Sequence, residues 1–100
     1  MQEYTLGDMV FSWSEEKATS NAQKHGVSFE EAATAFRDAD AQLYDDKDHS
    51  EEERFILIGY SAMSRILLVC HCYREDGGII RIISARKASR SERRLYEERS

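Results

Sequence analysis

Two arginines inside an apolar strand are the first residues of this sequence that could do chemistry. The stretch GGIIRIISARKASRSERR, residues 77–94, contains a run of isoleucines that Arg81 interrupts and Arg86 closes. Because a buried, unpaired guanidinium is very costly, each arginine must either pair with a carboxylate or line a surface that holds negative charge. The second possibility indicates phosphate binding, since the planar fork of arginine grips two oxygens and stays charged.

Two short turns predict which side chains share a face of the sheet with each arginine. If Asp76-Gly77 and Ala62-Met63 both form two-residue turns, the register of the flanking strands is fixed, and directly opposed residues share a face. A one-residue change in either turn would exchange the partners. On this register one face carries Arg54, His71, Tyr73, Ser84 and Arg86, and the other carries Arg74 and Arg81.

The first of these faces has the groups that RNA cleavage without a metal ion needs. One group must take the proton of the 2′-hydroxyl, another must protonate the leaving 5′-oxygen, and cations must stabilise the charge that grows on the phosphate. We therefore predict that arginines hold the scissile phosphate and that a histidine and a tyrosine transfer protons. The predicted catalytic residues are His71, Tyr73, Arg86, Arg81 and Arg54, and the predicted RNA-binding residues are Lys24, His25, Arg65 and Arg74.

A structural role is the alternative for each of these residues. A single histidine in a strand is more often a hydrogen-bonded core or surface residue than a catalytic one. An arginine that ends a strand usually pairs with a carboxylate, for which Glu92 and Glu97 are the candidates. Alternation places Arg81 on the face opposite Arg86, so a structural pair explains Arg81 as well as a phosphate does. The histidines and cysteines show no recurring ligand spacing, so we predict no metal site and no cofactor.

Length and composition indicate a single domain with an uneven charge distribution. The chain has 100 residues, of which 41% are hydrophobic and 33% charged, and no apolar stretch approaches the ~18 residues of a membrane span. Residues 1–53 carry a net charge of −10 and residues 54–100 a net charge of +5. This split indicates a localised basic surface, unless folding interleaves the halves and pairs their charges. Cys70 and Cys72 suit free thiols in a reducing cytoplasm, and no secretory signal is present, so we predict a cytoplasmic protein.

Local signals predict an α+β fold with the order β-α-α-β-β-β-β-α. Ser14 caps a helix that stops at Gly26, and the pairs Ser28/Glu31 and Ser89/Glu92 are capping boxes for two further helices. Runs of strands joined by tight turns predict a twisted antiparallel sheet of four to five strands, with two N-terminal helices and a C-terminal helix. Residues 1–9 are predicted to be a loosely held tail, and residues 10–100 a single domain.

Four segments of the sequence carry a resemblance to a known family. FSWSEEKATSNAQKHGVSFEEAATAF, DHSEEERFILIGYS, RILLVCHCYRE and IRIISARKASRSERRLYE together resemble the BrnT family, toxins of bacterial type II toxin–antitoxin systems. The resemblance spans residues 11–97. It implies a RelE-like ribonuclease fold and a partner antitoxin with a ribbon-helix-helix DNA-binding part, similar to BrnA. It also implies that the antitoxin neutralises the toxin and represses the shared operon, so that operator DNA is reached only through the antitoxin.

The resemblance can be carried onto individual positions. Ser14 stands where the family often has Asp, Ser64 stands where a glycine is usual, and the extension before Phe11 is unusual. The motif residues present are Trp13, Lys17, Asn21, Lys24, His25, Gly26, His49, Glu53, Arg54, Arg65, Arg74, Arg81 and Arg86.

Two functions from different classes are compatible with these features. The first is a metal-independent endoribonuclease toxin that cleaves RNA and thereby inhibits translation and growth. The second is a non-catalytic module that binds an antitoxin and acts as co-repressor of its operon. The net charge of −5 is compatible with the second, because a free ribonuclease gains from attracting its substrate. Two arginines in one apolar strand favour the first.

Overall fold

A six-stranded sheet with helices on both sides positions the candidate residues. The computed structural model describes residues 1–47 and 52–99. The elements are β1 (Gln2–Leu6), β2 (Met9–Trp13), α1 (Glu15–His25), α2 (Phe29–Ala35), β3 (Gln42–Asp46), β4 (Arg54–Tyr60), β5 (Ile66–Arg74), β6 (Ile79–Lys87) and α3 (Arg90–Arg99). The strand order is β1-β2-β6-β5-β4-β3, and β2 with β6 is the parallel pair. The α+β class and the three predicted helices are confirmed, with one strand more than the five expected.

The additional strand comes from the N-terminal residues, which were predicted to be a loosely held tail. Instead, β1 pairs antiparallel with β2 through a turn in which Gly7 has φ 62. The ring of Tyr4 lies 5.6 Å from that of Trp13, so β1 also packs on the core. Tyr4 and Leu6 alternate with polar residues directly before Gly7-Asp8, and this period-two pattern was the overlooked signal of a hairpin.

The predicted helix caps are present in the structure. The Ser28 hydroxyl accepts a hydrogen bond from the backbone N–H of Glu31 at 3.0 Å. Gly26 ends α1 in the left-handed region with φ 69, which costs glycine little. At α3 the capping box is reciprocal, because Glu92 accepts from the Ser89 N–H at 2.8 Å and Ser89 accepts from the Glu92 N–H at 3.3 Å. These local contacts fix where each helix begins and ends.

One face of the sheet, which we call the helical face, is covered by α1 and α2. Its buried residues come from strands and helices alike, and include Phe11, Trp13, Phe29, Leu67, Val69 and Ile82. Each of these six side chains is at most 1% exposed, so they form the hydrophobic core. Full burial of one such side chain stabilises the fold by about 1.5–3 kcal/mol relative to its exposure to water.

Asn21 joins α1 to β6 through its side-chain amide. The amide nitrogen donates to the carbonyls of Ala85 at 2.8 Å and Val27 at 3.0 Å, and the amide oxygen accepts from the Ala85 N–H at 3.0 Å. Ala85 thus has both backbone groups satisfied by a side chain, as if by a neighbouring strand. Asn21 is 7% exposed, so water is not a ready substitute for these bonds.

Replacing Asn21 with alanine should therefore destabilise the protein strongly. Asn21→Ala leaves three buried backbone groups without partners, and we expect the free energy of unfolding to fall by about 2–4 kcal/mol. Urea denaturation followed by circular dichroism measures the change. Gln23→Ala, at an exposed position of the same helix, is the matched control and should change stability by less than about 0.5 kcal/mol. Equal stability of the two variants would contradict the role given to Asn21.

Candidate functional site

The second face of the sheet collects arginines from three adjacent strands. Arg54 lies on β4, Arg74 on β5, and Arg81 and Arg86 on β6, all on the side opposite the helical face. We call this surface the arginine face. α3 packs against one end of it, where the Gln42 amide donates to the Tyr96 carbonyl at 3.1 Å.

A β-bulge in β6 places Arg81 and Arg86 on the same face. Arg74 pairs with Ile79 and His71 with Ile82, as the predicted Asp76-Gly77 turn requires, but Cys70 then pairs with Ser84. Ile83 is thus an extra residue in β6, and from there the register shifts by one. Strict alternation would put Arg81 and Arg86 on opposite faces, as the sequence predicted. The bulge makes that prediction wrong, because it reverses the side on which every later residue of β6 points.

The β4–β5 turn produces the second departure from the predicted register. The loop has three residues, 62–64, rather than two, and it is closed by the hydrogen bond from the Ser61 N–H to the Arg65 carbonyl at 2.8 Å. Ser64 takes φ 63, the left-handed conformation that three-residue hairpin loops need at this point. As a result His71 opposes Phe55 instead of Arg54.

His71 and Tyr73 therefore lie on the helical face, and the prediction that they share a face with Arg54 and Arg86 is wrong. His71 is fully buried, with its ring centroid 4.8 Å from that of Phe36. Its Nδ1 lies 3.1 Å from the Val69 carbonyl, which can only accept, so this nitrogen carries the proton. Nε2 then accepts from the Tyr73 hydroxyl at 3.2 Å. Burial lowers the pKa of His71 and raises that of Tyr73, which favours the neutral form of both.

Carboxylates hold three of the four arginines on the arginine face. Glu52 contacts Arg54 at 3.0 Å and Arg74 at 3.4 Å, and hydrogen bonding from Arg54 is the main cause that lowers the pKa of Glu52. Glu92 receives two bonds from Arg86, at 2.8 and 2.9 Å, which lower the pKa of Glu92 to about 2 against burial. The structural pair that the sequence suggested for Arg86 with Glu92 is thus present.

Arg81 differs from the other three arginines. It is half-buried and makes no hydrogen bond or ion pair within residues 1–47 and 52–99. Its neighbours across the strands, Ser12 and Cys72, are 5% and 1% exposed and carry no charge. An unpaired cation in such surroundings is expensive to keep, so this position is suited to an anion supplied from outside.

Cys70, one of the two cysteines on the arginine face, is a poor nucleophile. Both cysteines are free thiols, and burial, together with nearby Asp46, raises the pKa of Cys70 to about 11. The Cys70 thiol lies 3.7 Å from an Asp46 carboxylate oxygen, so it stays protonated near neutral pH. Cys70 therefore contributes packing beneath the arginines rather than covalent chemistry.

The predicted RNA-binding residues are divided between different parts of the surface. The Arg65 guanidinium binds both oxygens of Glu31 and donates to the Gly26 carbonyl at 3.0 Å, which ties the two N-terminal helices to β5. Glu31 also accepts from the Ser61 hydroxyl at 2.7 Å, and Arg65 is the main cause that lowers the pKa of Glu31. Lys24 is exposed and His25 half-buried, both in the last turn of α1. Arg74 is the member of this set that lies on the arginine face.

Within the described residues, no three histidine, cysteine, aspartate or glutamate side chains are close enough to share a metal ion. His49, carried over from the family motif, lies outside the described ranges. No helix in residues 1–47 and 52–99 is long and apolar enough to cross a membrane.

Together, the fold and the arginine face define a small α+β protein with a surface suited to phosphate groups. The family described as "Ribonuclease toxin, BrnT, of type II toxin-antitoxin system" matches residues 13–92, and the chain belongs to this family. This confirms the resemblance found in the sequence, and membership in a type II family implies an antitoxin partner. No curated protein sequence matches the chain.

A solved structure confirms the fold independently. The 1.1 Å crystal structure of the Brucella abortus ribonuclease toxin BrnT superimposes with a TM-score of 0.61 at 23% sequence identity. The match covers 80% of this chain and 96% of the Brucella chain.

Opposite effects on stability should separate Arg81 from Arg86. Arg81→Met removes an unpaired half-buried charge, and we expect the free energy of unfolding to rise by about 0.5–1 kcal/mol. Arg86→Met leaves Glu92 without its partner and should lower it by about 1 kcal/mol. Chemical denaturation of both variants measures the difference, and a loss of stability in Arg81→Met would show that Arg81 has a structural partner.

The Arg86–Glu92 pair should also make stability depend on acidity. The pKa of Glu92 lies near 2 in the folded protein against an ordinary value of 4.5, so its contribution is present above about pH 4.5 and is lost as pH falls towards 2. Glu92→Gln should therefore be less stable than wild type at pH 6, with a difference that shrinks by pH 3. Glu98→Gln, at an exposed position of α3, is the control and should show no such convergence.

Proposed function

We propose that the arginine face is the active surface of a metal-independent endoribonuclease, and that this activity makes the chain a growth-inhibiting toxin. The observation that carries the proposal is Arg81, which is half-buried, unpaired among the described residues and on the same face as three other arginines. Membership in a family of ribonuclease toxins supports RNA as the source of the anion.

The chemistry assigned to this face is the binding and neutralisation of a phosphate. Metal-independent cleavage proceeds by attack of the 2′-hydroxyl on phosphorus and departure of the 5′-oxygen, and negative charge grows on the phosphate oxygens as this happens. Arg81 supplies a guanidinium with no competing carboxylate, whereas Arg86, five residues further along β6, and Arg54, two strands away on the same face, are each paired with a glutamate. Such donors stabilise the transition state more than the ground state, because they are fixed before the charge develops.

His71 and Tyr73 receive a supporting role in this proposal. Side chains on opposite faces of a sheet cannot contact the same phosphate, and the imidazole of His71 is closed off from solvent. The Tyr73 hydroxyl anchors to His71, and its ring packs 5.4 Å from that of Phe55, beneath the strand that carries Arg54. His71 and Tyr73 thus support, from the helical face, the strands that carry the arginines.

Membership in the family supports a cellular role. We propose that the protein acts in the cytoplasm, that cleavage of RNA stops translation, and that a BrnA-like antitoxin with a ribbon-helix-helix part neutralises it. On this proposal operator DNA is contacted only by the antitoxin, and the toxin contributes to repression through it.

Two substitutions of similar size should separate the arginine face from the helical face. On purified protein with a labelled RNA, Arg81→Met should lower cleavage by at least about 100-fold, the usual cost of removing one preorganised donor. Tyr73→Phe keeps the ring and removes only the hydroxyl, so we expect cleavage within a few-fold of wild type. A large loss in Tyr73→Phe at unchanged stability would instead support the catalytic role predicted for Tyr73 and His71.

The same variants test the proposal in cells. Induction of the wild-type chain alone should arrest growth and create new RNA 5′ ends, and Arg81→Met should do neither while accumulating as folded protein. Normal growth without new RNA ends after wild-type induction would exclude the ribonuclease.

The co-repressor module remains the second candidate, and one observation favours it. Glu52 and Glu92 already occupy three of the four arginines, as would be expected if the face were structural. This candidate requires that Arg81→Met bind the antitoxin and repress the operon as wild type does, with no RNA cleavage by either protein.

A further inference from the structure

A groove beside the arginine face contains an exposed aromatic ring and two cations that the proposed reaction does not use. It has a volume of about 410 Å³ and lies between the β4–β5 hairpin and α3. We call it the Tyr60 groove; it is lined by Tyr60, Ser64, Arg65, Ile66, Lys87, Ala88, Arg93 and Glu97.

The groove is continuous with the proposed active surface. Tyr60 pairs with Ile66 at the end of the β4–β5 ladder, on the same face as Arg54 and Arg86. Lys87 directly follows Arg86, whose guanidinium donates to the Lys87 carbonyl at 3.2 Å, but Lys87 pairs with the buried Leu67 and therefore lines the groove from the helical side of the strand end. Tyr60 lies six residues along β4 from Arg54, roughly 20 Å at the ~3.3 Å rise of a strand.

The side chains in the groove are available for a ligand. Tyr60 is 48% exposed although it sits at the end of a strand that is otherwise covered. The side chains of Lys87 and Arg93 are exposed and make no hydrogen bond or ion pair in the described part of the chain. Arg65 belongs to the wall, because its guanidinium is bound to Glu31 and Gly26. Glu97 is the carboxylate in the lining that an anionic ligand must tolerate.

We propose that the Tyr60 groove is a second RNA subsite, which holds a nucleotide that flanks the cleaved bond. An exposed aromatic ring stacks with any base, and cations beside it hold the backbone phosphates, which is how single-stranded nucleic acid is bound without sequence preference. The inference rests on the proposed ribonuclease function and extends it: the substrate is a single-stranded RNA that reaches from the arginine face to Tyr60.

Binding of an uncleavable RNA tests the subsite separately from catalysis. The probe is a ten-nucleotide 2′-O-methyl RNA carrying a fluorophore, and its anisotropy gives the dissociation constant at several salt concentrations. Tyr60→Ala should weaken binding by about 5- to 100-fold, and Tyr60→Phe should restore it to within about twofold, because phenylalanine also stacks. The double variant Lys87→Ala/Arg93→Ala should reduce the slope of log affinity against log salt by about 1.4.

Controls separate this proposal from general charge effects and from the ribonuclease itself. Lys17→Ala removes an exposed charge from α1, on the other side of the sheet, and should change binding by less than twofold. The ratio of kcat/KM for a cleavable ten-nucleotide RNA to that for a dinucleotide should fall in Tyr60→Ala. Absence of cleavage by wild type would overturn the ribonuclease but not the subsite, if Tyr60→Ala still weakens binding.

One result would overturn the subsite, namely wild-type RNA affinity in both Tyr60→Ala and the double variant. If the same variants also bind the antitoxin more weakly than wild type does, the groove is a protein interface instead.

Discussion

The bulge at Ile83 is the constraint on which the arrangement of the arginine face depends. On one edge β6 pairs with β5 along its whole length except at Ile83, but on the other edge β2 pairs with it only at Ile80 and Arg81. Beyond the bulge the Asn21 amide takes over at Ala85. The change of partner on this edge therefore coincides with the extra residue. A side chain can satisfy the backbone of a strand that has turned away from its neighbour, and Asn21 of α1 does so just beyond the bulge that puts Arg86 on the side of Arg81.

Local chemistry made much of this fold predictable from the sequence. Each predicted helix cap joins groups at most four residues apart in the sequence, and the structure has these caps where they were predicted. They are formed by Ser14, Gly26, Ser28 and the Ser89/Glu92 pair. The Asp76-Gly77 turn is likewise local, and the pairs nearest to it have the predicted register. Interactions of this range are contained in a short window of sequence, so no knowledge of the tertiary structure is needed to read them.

The candidate site was less predictable. The errors in its predicted register came from single inserted residues, and each of them changed the face of residues far along the strand. One extra residue in the 62–64 loop and one in β6 were enough to exchange the faces of His71 and Arg81 relative to their predicted neighbours. Neither residue is marked by composition: Ser64 adopts a positive φ that usually calls for glycine, and Ile83 is an ordinary strand residue. The resemblance offered one hint, since a glycine is usual where Ser64 stands. The period of two in a strand turns each such insertion into a change of face for everything after it.

The charge asymmetry of the chain has two explanations that apply to different residues. Carboxylates of residues 1–53 do pair with arginines of residues 54–100: Glu31 pairs with Arg65, and Glu52 pairs with Arg54 and Arg74. These pairs account for part of the positive charge as structure. Arg81 and the outward side chains of Lys87 and Arg93 are not neutralised in this way within the described residues.

The residues left unpaired are also the ones that a folding argument alone would remove. A half-buried guanidinium without a partner lowers stability, and methionine would occupy the same volume at no electrostatic cost. Proteins keep such costs where an incoming ligand repays them, and on the proposed function an RNA phosphate is the anion that Arg81 binds. Arg86 is less informative about ligand binding, because its two hydrogen bonds to Glu92 explain its presence without any ligand. Of the two arginines that interrupt and close the isoleucine run, Arg81 therefore identifies the surface, and Arg86 holds α3 beside it.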